Sequence, residues 1–199
     1  MTIDGLNVYS NSLTISNTSA VATAGTSTIR FTNDATGNTI RNCTIKGSTT
    51  DASGGVIFFS TTSGTTGNDG NTLDNNSITS AADASRPLNV IYSLGTSAKE
   101  NSGNTISNNY IYDFLSSSTA SFGIKLGNYT TAWTISGNSF YETTSFSPTA
   151  DVAYNVIYIN NTSGTGFSLS GNYIGGNSPK GGSSSWYKAR TSTNPFTAI

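Results

Sequence analysis

"GNTIRNCTIKG" at residues 37–47 returns as "GNTLDNNSIT" at 70–79 and again as "GNTISNNYIYD" at 103–113. Anchoring each unit on its central aliphatic residue gives Ile40, Leu73, Ile106, Ile135 and Leu169, spaced 33, 33, 29 and 34 residues apart. A near-constant period of that length marks a repeat architecture, in which units stack because none can bury its apolar side alone. A second apolar residue stands five positions after each anchor: Ile45, Ile78, Ile111, Phe140 and Ile174.

A five-residue gap fits neither an uninterrupted strand nor one face of a helix. It does fit two short strands joined by a tight corner, each sending one residue inward. The corner reads "RNC", "DNN", "SNN", "SGN" and "SGN" in successive units, and Asn and Gly are the residues that tolerate left-handed backbone. The period therefore predicts a column of Asn76, Asn109, Asn138 and Asn172, with Cys43 in line, in which side-chain amides bond from layer to layer. Upstream of each anchor lies a third segment rich in β-branched and aromatic residues: "TIRFT" from Thr28, "VIFFS" from Val56, "VIYSL" from Val90, "GIKLG" from Gly123 and "VIYIN" from Val156. "WYKAR" from Trp186 reads as a sixth. The expectation is an all-β solenoid with three short strands per coil and about six coils, forming a single domain over residues 1–199.

These "GNTI-x-NN-x-I" units, spanning roughly residues 28 to 190, resemble the right-handed parallel β-helices of the pectate-lyase-like type. The resemblance implies parallel pairing between coils, an Asn ladder at the corner between second and third strands, and a polysaccharide-binding face outside the first strands. It implies architecture more than activity, because such folds carry lyases, hydrolases, adhesins and phage tail proteins. The first 27 residues fit the period less well: "TIDGLNV" repeats the five-residue gap from Ile3 to Val8, and "SLTISN" at 12–17 reads as an extra or displaced strand. "NPFTAI" at the other end reads as the start of a further anchor. Neither end shows an evident cap, so the chain is expected to be a fragment of a longer one or to have its ends covered by a partner.

Composition sets the limits on function. Charged residues make up 10%, aromatics 11%, and the net charge is −1. That balance offers nothing to attract nucleic acid, and no apolar run approaches the roughly 20 residues of a membrane-spanning helix. With no histidine, Ser-His-Asp and Cys-His catalysis and His-ligated zinc or haem lack a required group. The lone Cys43 can form no internal disulfide and reads as a buried small side chain. Abundant Ser, Thr and Asn with few Lys and Arg suggest an extracellular or cell-surface protein. The start "MTIDGLNVYS" has no basic or apolar leader region, so in an exported protein this chain would be a mature or excised piece.

Alternation along the first strands would turn Ile29, Ile57, Ile91, Ile124 and Ile157 inward and the residues after them outward. The outward column is Arg30, Phe58, Tyr92, Lys125, Tyr158 and, in the sixth segment, Lys188. These are the candidate ligand-binding residues, since aromatic rings suit sugars and cationic tips suit their carboxylates. Plain cross-strand packing would favour the same residue types. The column contains no carboxylate pair for glycoside hydrolysis. Asp69 and Asp74 read as a turn and an outward strand residue, and no metal or cofactor is expected. If the chain is an enzyme, it is a metal-free polysaccharide lyase with Lys125 as base between Tyr92 and Tyr158. The leading expectation is a non-enzymatic rigid spacer or adhesin-like module that binds polysaccharide along this column. The alternatives are a lyase or its inactive relative, and a subunit that self-associates through open solenoid ends.

Overall fold

A computed structural model describes residues 1–6, 13–189 and 193–199. Three sheets of six strands each run the length of a parallel β-solenoid. The anchor sheet holds Thr2–Asp4, Thr39–Arg41, Thr72–Asp74, Thr105–Ser107, Thr134–Ser136 and Ser168–Ser170. Past the corner lie Leu13–Asn17, Cys43–Gly47, Ser77–Ser80, Tyr110–Tyr112, Ser139–Tyr141 and Tyr173–Ile174. The remaining sheet holds Ser27–Phe31, Gly55–Phe59, Asn89–Ser93, Ser121–Leu126, Tyr154–Ile159 and Phe196–Thr197. Six strands per sheet enclose five steps, so the solenoid makes about five turns where the sequence suggests six.

Register follows the sequence period. Ile3, Ile40, Leu73, Ile106, Ile135 and Leu169 are paired in one file. Ile45, Ile78, Ile111, Phe140 and Ile174 form a second, and Ile29, Ile57, Ile91, Ile124 and Ile157 a third. The middle members of all three files belong to one buried core, whereas Ile3, Ile29, Leu169 and Ile174 at the ends are only partly buried. Each fully buried aliphatic side chain stabilises the fold by roughly 1.5–3 kcal/mol, so the middle coils carry most of that stabilisation.

The corner explains the Asn-rich motif. Asn42, Asn75, Asn108, Gly137 and Gly171 adopt left-handed backbone, with φ of 56°, 53°, 55°, 67° and 62°. The next residue enters the ladder. The Asn109 side-chain carbonyl accepts the backbone and side-chain N–H groups of Asn76, both at 3.0 Å. Asn138 accepts likewise from Asn109 at 2.9 and 3.0 Å, and Asn172 from Asn138 at 3.0 Å. Cys43 closes the column by donating its backbone N–H to Asn76 at 3.0 Å. Each ladder amide also donates to an anchor carbonyl one coil back, those of Ile40, Leu73, Ile106 and Ile135, at 2.9 Å. No polar atom of these amides is left to solvate, which is what lets them sit inside an apolar column.

The ends depart from expectation. Leu13–Asn17 is neither extra nor displaced: it pairs with Cys43–Gly47 as an ordinary strand of the first turn. Val8, expected five residues after Ile3, lies outside the described residues. "WYKAR" does not supply a strand of the third sheet; Lys188 bridges Phe146 in an isolated pair. Phe196 and Thr197 take that place instead, opposite Tyr154 and Asn155, so "NPFTAI" begins no new anchor. At the position where the other segments carry Ile, "WYKAR" has Tyr187, which is 62% exposed and could not fill an aliphatic file.

Candidate functional site

The third sheet lines up Arg30, Phe58, Tyr92, Lys125 and Tyr158 as one outward column. Lys188, off the sheet, does not join it. Parallel register puts these side chains roughly 4.8 Å apart, close enough for adjacent rings to stack. The Phe58 and Tyr92 rings stack at 5.2 Å with 4° between planes. Arg30 lies 5.4 Å from the Phe58 ring centre, and the Lys125 ammonium lies 5.0 Å from that of Tyr92. The column thus runs cation, ring, ring, cation, ring, and the Phe58 and Tyr92 faces that sugars could use are turned along the solenoid axis toward neighbouring layers. Phe58 and Tyr92 are consequently 4% and 7% exposed.

Phe122 was not among the candidates, because it precedes the "GIKLG" segment. Its ring centre is 4.8 Å from the Lys125 ammonium and 5.3 Å from the Tyr158 ring, tilted by 49°. Lys125 is therefore held between two aromatic side chains. Burial lowers its pKa from the ordinary lysine value. Burial also raises that of the Tyr92 hydroxyl, with Asp51 adding to the effect.

Loops on both sides of the column are tied between coils. On one side Asp34 accepts the backbone N–H of Thr65 at 2.5 Å, the Thr62 hydroxyl at 2.7 Å, and the N–H groups of Gly67 and Thr66 at 3.2 and 3.3 Å. These donors, Thr65 foremost, hold its carboxyl well below the usual range. Lys99 donates to the Gly64 carbonyl in the same loop. On the other side the buried Arg86 pairs with the buried Glu142 and, at 2.8 Å, with Asp83. Glu142 also accepts the N–H groups of Phe114 and Leu115 at 3.0 Å. Burial raises the Glu142 carboxyl to about 7 against the pull of Arg86.

The chain matches no family model, no curated protein and no solved structure. What the column can do rests on its own geometry: it presents one half-buried amine, Lys125, with Tyr92 and Tyr158 in register on either side. Sequence reasoning overlooked two further ladders, one at the opposite edge of the anchor sheet and one at the end of the third-sheet strand Gly55–Phe59. Asn38 donates twice to Asn71 at 3.0 and 2.8 Å, and Asn71 twice to Asn104 at 2.8 and 3.0 Å. Asn68 donates twice to Asn101 at 3.1 Å. For the first of these the signal was present in "GNT", whose Asn38, Asn71 and Asn104 recur every 33 residues but were assigned no role.

Proposed function

We propose that this chain is a rigid, non-enzymatic solenoid module of an extracellular or cell-surface protein, a spacer or adhesin-like element that holds its two ends at a fixed separation. Five steps of the stack give a rise of about 24 Å. The observation that carries the reading is the direction of the Phe58 and Tyr92 rings, which spend their faces on each other and on Arg30 and Lys125. Groups that would make a ligand surface act instead as layer-to-layer contacts, in parallel with the Asn ladders. Incubation with a panel of neutral and acidic glycans should yield no unsaturated product. Turnover that disappears in Lys125→Ala would show a lyase and end the spacer reading.

A second reading is favoured by one feature, the half-buried Lys125 with Phe122 and Tyr158 beside it. Here an acidic polysaccharide lies along the Lys125 end of the column without being cut. Binding that weakens in both Lys125→Ala and Tyr158→Ala, with the fold intact, would establish it.

A further inference from the structure

The displaced Lys188 lines a cavity of about 380 Å³ at the last turn, together with Phe146, Tyr154, Trp186, Asn194 and Phe196. Two edge-on ring pairs build its walls: Phe146 with Tyr154 at 5.5 Å and 87°, and Trp186 with Phe196 at 5.3 Å and 88°. One ring of each pair belongs to the third sheet, Tyr154 and Phe196, so the stack itself sets their separation. Tyr154 is fixed further by donating its hydroxyl to the Ser116 carbonyl at 2.7 Å. Asn194 is fixed by donating to the carbonyls of Ala150 and Val152 at 3.0 and 3.1 Å, and its own side-chain carbonyl accepts from the Lys188 ammonium at 3.2 Å. Among the described lining residues Lys188 is charged and none is acidic.

An open, aromatic-walled cleft with one positioned cation has the composition of a small-molecule site, and the volume is at the low end of the roughly 300–1,000 Å³ such sites occupy. That size suits a single ring. We propose that this cavity binds a small ring-bearing carboxylate, its ring against the aromatic walls and its acid group on Lys188. A uronic acid and an aromatic acid share that chemistry. The site is independent of the outward column and would hold whether the module is a spacer or a lyase.

The chain offers its own probe. Of its two tryptophans, Trp133 is fully buried with its indole N–H bonded to the Asn101 carbonyl, while Trp186 lines the cavity. Galacturonic acid and benzoate are titrated against tryptophan emission, with galactose and benzyl alcohol as uncharged counterparts. At least one acid should give a saturable change, with its uncharged counterpart about tenfold weaker or more, as expected for a hydrogen bond to a charged group. Lys188→Met should abolish that preference without altering the circular dichroism spectrum, and Trp186→Phe should remove the signal. Which acid saturates identifies a sugar or an aromatic ligand. Saturation by neither acid, equal binding of the uncharged counterparts, or an unchanged preference in Lys188→Met would each overturn the proposal.

Discussion

The middle turns and the last turn are drawn from the same Ser, Thr, Asn and Gly, yet they behave differently. Between Asn38 and Asn109 the amides at both edges of the anchor sheet recur every 33 residues, and they bond layer to layer. From Trp133 onward the pattern loosens. Trp133 stands where the next amide of the Asn38 ladder would fall, the corner strand shortens to Tyr173–Ile174, and Asn172 is only partly buried. The difference teaches that a few corner amides, rather than the polar composition at large, set the regularity of the stack. Where they stop, long loops and aromatic side chains take over.

Substitutions at equivalent positions should sharpen this contrast. Asn109→Ala removes two donated and two accepted hydrogen bonds and strands the buried Leu73 carbonyl and Asn76 N–H, so urea unfolding should show a loss of about 3–5 kcal/mol. Asn172→Ala, at the loose end, should cost about 1–2 kcal/mol. Equal losses at the two sites would erase the distinction between middle and end. In the core, Ile106→Ala should cost about 2–5 kcal/mol, because the side chain is fully buried, while the partly buried Leu169→Ala should cost less than half as much.

The pH dependence comes next in size. Glu142 titrates near 7 in the folded chain against an ordinary 4.5, so the folded state holds its proton more tightly than the unfolded state does. Its contribution is therefore greatest below about 4.5 and is lost as pH rises through about 7, by roughly 3 kcal/mol in all. Glu142→Gln should flatten that slope in urea titrations across the range, and an unchanged slope would assign it to other groups. The smallest effect belongs to the outward column. A double-mutant cycle of Phe58→Leu and Tyr92→Leu should give a coupling of about 0.5–1.5 kcal/mol, the value for a stacked pair, and no coupling would return those rings to the role of a sugar surface.

The sequence showed the three strands per coil, the anchor files and the Asn76–Asn172 ladder, because one layer constrains the next and the constraint leaves the same residue types at a fixed spacing. It showed which residues share the outward column, Lys188 apart, but not that their rings would close over one another. Alternation tells which side of a strand a residue is on, whereas exposure depends on what the layers above and below place beside it. "WYKAR" misled for a related reason. Its aromatic and basic pattern imitates the column, yet it lacks the inward aliphatic residue, and Phe196 and Thr197 take the place on the third sheet opposite Tyr154 and Asn155. The cavity around Trp186 has no local signature, since its walls come from two segments, Phe146–Tyr154 and Trp186–Phe196, that are distant in sequence.

The stacking itself can be tested with one engineered disulfide. Thr72 and Thr105 are direct partners in adjacent parallel strands, where backbones lie about 4.8 Å apart, within disulfide reach. The native Cys43 is buried and should not compete. Thr72→Cys with Thr105→Cys should oxidise to an intramolecular disulfide in the folded protein, while Thr39→Cys with Thr105→Cys, two layers apart, should not. No bond in the first pair, or ready bonding in the second, would contradict the in-register parallel stack.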